Sequence, residues 1–306
     1  MLWLSAALAA IAFSLSSTVR GETERTSTEI DGLRSYYLAV GGVYRAAFEL
    51  LWSVTTPDKR MIPKGSVAVN YEFPSGDVRV EFIPEAAKLD VNKAPVEQLT
   101  RLVAALGVDP MRAQEIAQGI DARRGGSGGL GIPDITPTFQ PSHASFQEIE
   151  ELLAVTGVTP DIFYGTYVPG TGAPGEAGLE PRGGLLDCLS VYGSNGQVDA
   201  NTASPAVLAA IGLSPYAVSA IVEHCRQTPF TAEDLPGFAQ SVGADMSKLR
   251  VEGHSMVTIR ATARLRNADG KPSDLKRTVA AVVKYVGPGA DFPIHFVRWY
   301  DTAWSY

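Results

Sequence analysis

The first nineteen residues carry no charge, and this run constrains the chain more than any other feature. Arg20 then opens a polar stretch that lasts to Arg25. A membrane-crossing helix needs about 20 apolar residues, so residues 1–19 are just long enough to span a bilayer. A cleaved secretory signal would place basic residues ahead of its apolar core, and none precedes Leu2. The first proline is Pro57, and only Gly21, Gly32, Gly41 and Gly42 interrupt a helix-forming composition before it. One continuous helix to about Ser53 is expected, reaching on the order of 75 Å.

The second half of that helix is amphipathic. Leu33, Tyr36, Tyr37, Val40, Val43, Tyr44, Ala47, Leu50 and Leu51 recur at helical spacing, which is more apolar surface than one small sheet needs. Spare apolar surface marks a contact site. Tyr36, Tyr37, Val40, Val43 and Tyr44 are therefore the candidate partner-binding residues, divided between core and contact in a way the sequence leaves open.

Beyond Pro57 the period changes. Residues 67–73 and 78–82 alternate apolar and polar around Pro74-Ser75-Gly76-Asp77, which reads as a β-hairpin. The same signal returns only near the far end, at 257–265, 278–286 and 294–300. Short hairpins are marginal alone, so strands from both ends are expected in one antiparallel sheet packed on the long helix, with the middle of the chain inserted between them. The fold class is α+β. The segments are an anchor at 1–25, a first lobe part at 26–88, a helical insertion at 89–248 with related units at 89–165 and 185–248, and the remaining sheet at 249–306.

The insertion contains an internal repeat. Asp90-Val91-Asn92-Lys93-Ala94-Pro95 aligns without a gap on Asp199-Ala200-Asn201-Thr202-Ala203-Ser204, and Leu106-Gly107-Val108-Asp109-Pro110 matches Ile211-Gly212-Leu213-Ser214-Pro215. Asn92, and Asn201 or Thr202, are expected to cap a helix whose first turn tolerates Pro95 or Pro205. Gly107 and Gly212 suit left-handed helix ends, and Pro110 and Pro215 suit the starts of the next helices. Stacked helix-hairpin-helix units follow, with a half-copy at Gly157-Val158-Thr159-Pro160.

Several function classes are excluded or weakened. A formal charge of -7 opposes a polyanion as the main partner. Cys188 and Cys225 are the only cysteines, without the spacing of a zinc site. Residues 126–131 and 170–175 satisfy G-x-G-x-x-G, and Gly125 to Gly129 imitates a hydrolase elbow around Ser127, but neither loop sits between a strand and a helix. No enzyme is expected. The alternative function is a membrane-anchored helix-hairpin-helix DNA-binding protein with Arg101, Arg112, Arg123 and Arg124 as its patch. Its hairpins place Asp109, Thr159 or Ser214 followed by proline, which offers phosphate no N–H donor.

Over nearly its full length the chain resembles minor pseudopilin K of the type II secretion system. The likeness lies in Leu2-Trp3-Leu4 with the apolar run and Arg20, Tyr36-Tyr37-Leu38-Ala39, and Leu89 to Pro95. It continues in residues 146–157, Leu185-Leu186-Asp187 and residues 198–208. The resemblance implies a single-pass bacterial inner-membrane protein with its globular part in the periplasm, at the tip of the pseudopilus. It implies minor pseudopilins I and J as partners, and through them H and the major pseudopilin G. No nucleic acid, small-molecule substrate or cofactor is implied. Some relatives hold calcium in an acidic loop, but between Asp121 and Phe146 the only acidic residue here is Asp134. Relatives also carry a leader ending in glycine, so an upstream basic segment with a cleavage glycine is expected. An oxidising compartment favours a disulfide between Cys188 and Cys225.

Overall fold

The computed structural model describes residues 2–55, 67–125, 145–169, 178–194, 196–251, 255–267, 269–287 and 290–303. Helix α1 (Leu2–Thr55) opens the chain, followed by the hairpin β1 (Ala68–Phe73) and β2 (Gly76–Pro84). A helical region then runs β3 (Leu89–Asp90), α2 (Val96–Ala105), α3 (Pro110–Arg123), α4 (Pro160–Tyr164), β4 (Thr166–Pro169), β5 (Leu179–Arg182), α5 (Leu185–Cys188), β6 (Leu189–Ser190) and β7 (Val198–Asp199). It finishes with α6 (Pro205–Ala210), α7 (Pro215–Gln227), α8 (Asp234–Ser241) and β8 (Leu249–Arg250). The chain closes with β9 (Met256–Arg266), β10 (Pro272–Tyr285) and β11 (Ile294–Tyr300). Two compact units result: residues 1–82 with 259–305, and residues 83–258.

In the first unit the sheet order is β1-β2-β9-β10-β11. β2 and β9, far apart in sequence, are neighbours, and the second unit is inserted between them. Strand β9 buries Val257, Ile259, Ala261, Ala263 and Leu265 in strict alternation, as a sheet covered on one face requires. That cover is the second half of α1, whose Leu38, Ala39, Val43, Ala46 and Ala47 are buried. Alanines on both sides allow close approach. Gly42 completes it, because a Cβ there would lie 2.5 Å from Val78 Cγ1 and 3.4 Å from Ala261 Cβ. One ion pair is built into this contact: Glu49 is 7% exposed, accepts from Arg45 Nε at 3.1 Å and from Tyr71 Oη at 2.6 Å. The Arg45 guanidinium also lies 4.3 Å from the Tyr71 ring centroid.

The second unit is built on the repeat. Gly107 and Gly212 have φ of 81° and 91°, as the helix-end reading requires. Asp109 accepts from Met111 N and Arg112 N to cap α3, and Ser214 accepts from Ala217 N to cap α7. The expected capping by Asn92 and Asn201 is overturned. The residue ahead of α2 is Pro95, without a side-chain cap, and Ser204 caps α6. Both asparagines instead reach across the unit in the same way. Asn92 Oδ1 accepts from Phe146 N at 2.7 Å while its Nδ2 donates to Phe146 O at 3.0 Å. Asn201 grips Phe230 with the same two distances, 2.7 and 3.0 Å. A local reading sees only the short polar residue before a helix; its partner lies 54 residues away.

The cysteines also differ from expectation: both are free thiols. Cys188 faces Ser204 Oγ at 3.5 Å, and Cys225 faces the Ala200 carbonyl at 3.4 Å, so each sulfur packs on its own part of the loop before α6. Burial pushes both thiols up to about 11, so neither is a nucleophile near neutral pH. Untreated native protein is expected to resist maleimide labelling, and unfolding without reductant is expected to expose two reactive thiols. Mass spectrometry of the labelled chain reads this directly. A pH dependence accompanies it. The thiols, and the Tyr71 phenol raised by burial and by donating to Glu49, all hold their protons more tightly folded than unfolded. For the thiols this contribution is complete below about pH 8 and is lost as pH rises from about 9 to 11, Cys188 alone accounting for on the order of 3 kcal/mol, and the Tyr71 contribution is lost only above about pH 10.

Candidate partner-binding surface

The side of α1 that does not face the sheet carries a stripe of large apolar side chains, exposed among the described residues and flanked by Arg34 and Arg45. Leu33, Tyr37, Tyr44, Phe48 and Trp52 are 57%, 63%, 55%, 58% and 44% exposed. At about 100° per residue they fall on one stripe, on the opposite side of the helix from Ala39 and Ala46. The stripe is stiffened by ring contacts, Tyr36 to Tyr37 at 5.2 Å and Phe48 to Trp52 at 5.5 Å.

Edge strand β11 extends this surface. Two of its rings meet the helix: Tyr44 lies 5.3 Å from Phe296 and 5.7 Å from Trp299. Tyr36 Oη donates to Asp301 at 2.7 Å, and Trp299 Nε1 donates to the same oxygen at 2.9 Å, tying helix to strand end. Phe296 and Val297 are each 41% exposed. Large aromatics held in fixed positions at a surface are the side chains that dominate interfaces.

The structure thus divides the five residues named from the sequence. Tyr37 and Tyr44 are on the exposed stripe, Tyr36 and Val40 are half-buried at its margins, and Val43 is 0% exposed in the helix–sheet core. Val43 points into the sheet because it shares its side of the helix, at spacings of three and four, with the buried Ala39, Ala46 and Ala47. Phe48 and Trp52 were missed, although they continue the four-residue step from Tyr44. Phe296 needed the sheet pairing to bring it beside the helix.

The basic patch of the DNA-binding reading is occupied internally. Arg101 donates to Ala210 O at 2.9 Å, Arg112 to Gly157 O at 3.0 Å, Arg123 to Glu151 at 3.0 Å, and Arg124 to Asp121 and to Val91 O at 2.8 Å. The Gly-rich loops and the stretch with Asp134 lie outside the described residues. Among the described residues no three His, Cys, Asp or Glu side chains converge as metal ligands do.

The first half of α1 completes the picture. Trp3, Leu8 and Phe13 are 89%, 60% and 78% exposed, and the helix is long and apolar enough to cross a membrane. A long N-terminal helix, free and apolar at first and then laid along an antiparallel sheet, defines a pilin-like fold, here with a helical unit inserted between two sheet strands. The same fold occurs in a chain of the GspK-GspI-GspJ complex from the enterotoxigenic Escherichia coli type 2 secretion system. The match has a TM-score of 0.58 and 17% identity, covering 92% of this chain and 100% of that one. No family model and no curated protein matches the sequence.

Proposed function

We propose that the chain is a non-catalytic minor pseudopilin of the K type, anchored by residues 2–19 in a bacterial inner membrane with both compact units in the periplasm. It sits at the tip of a type II secretion pseudopilus, binds I-type and J-type minor pseudopilins, and primes fibre assembly for protein export. The observation that carries this reading is the aromatic stripe of α1, left open on a fold that matches, over 92% of the chain, a member of a three-protein pseudopilin complex. Fold alone does not fix function; the stripe supplies the site. The DNA-binding reading is not favoured, because its arginines are already bonded within the second unit.

The test is genetic and uses the intact protein. Deleting the gene is expected to block type II export while leaving other export routes intact, and wild-type protein restores it. A Tyr37→Glu/Tyr44→Glu variant that accumulates normally is expected not to restore it. Export that persists without the gene would refute the function even with the fold unchanged.

A further inference from the structure

The hairpin between β9 and β10 points along α1 toward the N-terminal end of that helix. Two contacts fix this direction. A Cβ on Gly32 would lie 3.4 Å from Arg277 Nη2, and Tyr44 lies 5.3 Å from Phe296, the β11 partner of Val283. The twelve helix residues from Gly32 to Tyr44 therefore run beside the six strand residues from Arg277 to Val283, in the same direction. The lengths agree, at about 18 Å for the helix and about 20 Å for the strand. The same step taken once more leads from Gly32 to Arg20 on the helix and from Arg277 to Lys271 on the strand. Lys271 closes the turn of the hairpin, its carbonyl accepting from Asn267 N at 2.8 Å, and Arg20 marks the end of the uncharged run. The hairpin tip is thus level with the end of the apolar part of α1.

The charge of this hairpin is opposite to that of the chain. Residues 264–277 hold five basic side chains, Arg264, Arg266, Lys271, Lys276 and Arg277, against Asp269 and Asp274, in a protein of formal charge -7. Arg266 is engaged by Asp77 at 2.6 Å, while Lys271 reaches Asp269 only at 3.9 Å and leaves 81% of its side chain exposed. The side chains of Arg264, Lys276 and Arg277 form no ion pair or hydrogen bond among the described residues. The acidic residues of the adjoining stretch of α1 do not meet them: Glu29 pairs with Arg25 and Asp31 with Arg34. Thr262 and Thr278 touch at 3.0 Å, and Arg264 and Lys276 are the next residues on that face of β9 and β10, so two unpaired cations are neighbours. Lys and Arg within a Debye length of an anionic bilayer, about 8–10 Å, are drawn to its headgroups. Resting on the membrane anchor of the reading above, we propose that the β9–β10 hairpin is a second membrane contact, its cations set on the anionic phospholipid headgroups that surround α1. An acidic protein surface is the poorer occupant, because the tip lies at the level where headgroups encircle the helix.

Fluorescence quenching of the full-length protein in vesicles tests this. A fluorescent amino acid replaces Asn267 at the turn, or Phe292 in the β10–β11 loop at the other end of the strand, and the quencher is carried on the lipid headgroup. With about 30% phosphatidylglycerol, quenching at position 267 is expected to be at least about threefold stronger than at position 292, and than at position 267 in pure phosphatidylcholine. Raising the salt from about 0.05 to about 0.5 M should remove most of the difference between the two lipids. Lys271→Glu/Lys276→Glu should lower quenching at position 267 to the phosphatidylcholine level, whereas Lys284→Glu, at an exposed cation further along β10, should not, in variants that melt as wild type does. Inserted protein with equal quenching in both lipids, or with none at position 267, would overturn the hairpin contact and leave the pseudopilin reading standing. So would a double reversal that leaves quenching unchanged but abolishes the complex with I-type and J-type pseudopilins, which would assign the hairpin to an acidic protein. Protein that does not insert through α1 at all would overturn both readings.

Discussion

Gly42→Leu is expected to abolish stable folding of the sheet-bearing unit, while Gly41→Ala, one residue away, is expected to strengthen it. The two glycines are turned about 100° apart on the helix, and only Gly42 is directed at the sheet. At Gly42 even a Cβ would sit 2.5 Å from Val78 Cγ1, and β2 and β9 leave the larger side chain nowhere to go. Overpacking of this kind costs about 3 kcal/mol or more, a large share of the margin of a small unit. At Gly41 nothing lies within 4 Å, so alanine there adds helix propensity worth about 1 kcal/mol. Urea unfolding followed by circular dichroism separates the cases. Val78→Ala should recover part of the loss in a Gly42→Ala background, because it removes the atom in the way. Equal effects at the two positions would contradict the helix–sheet packing described for this unit.

Asn92→Ala and Asn201→Ala are expected to destabilise the helical unit by similar amounts, about 2–4 kcal/mol each. Each substitution strands both backbone groups of a buried phenylalanine, Phe146 at 2% exposure or Phe230 at 3%. Asn92→Asp and Asn201→Asp should cost less than alanine, keeping the acceptor for the phenylalanine N–H but setting a carboxylate against its carbonyl. A thermal melt of the four variants reads the comparison. A large effect at one asparagine and none at the other would show that the two halves of the repeat do not share this clamp.

Much of the architecture is written in periodicity. An uncharged run, an unbroken helical composition and alternation at both ends of the chain are local signals, and α1, the β1–β2 hairpin and β9 to β11 follow from them. The glycine and proline positions of the repeat were equally legible, because a left-handed helix end or a first helical turn restricts the residue locally. What escaped depends on distant partners. The asparagines find phenylalanines well down the chain, the thiols find separate partners around one loop, and Val43 is core because it shares its side of the helix with the buried alanines. The surface itself was half legible: Tyr37 and Tyr44 stood out by spacing, whereas Phe296 joins them only once β11 pairs with β10 beside the helix.

The most direct measurement is sedimentation of the purified soluble part, from Thr26 onward, with the soluble I-type and J-type pseudopilins of the same organism. A three-protein complex is expected at micromolar concentration, and Tyr37→Glu/Tyr44→Glu, with a wild-type circular dichroism spectrum and melting curve, is expected to weaken it about 100-fold. Three proteins that sediment separately, or a complex indifferent to both glutamates, would contradict a pseudopilin that works through the open face of its long helix.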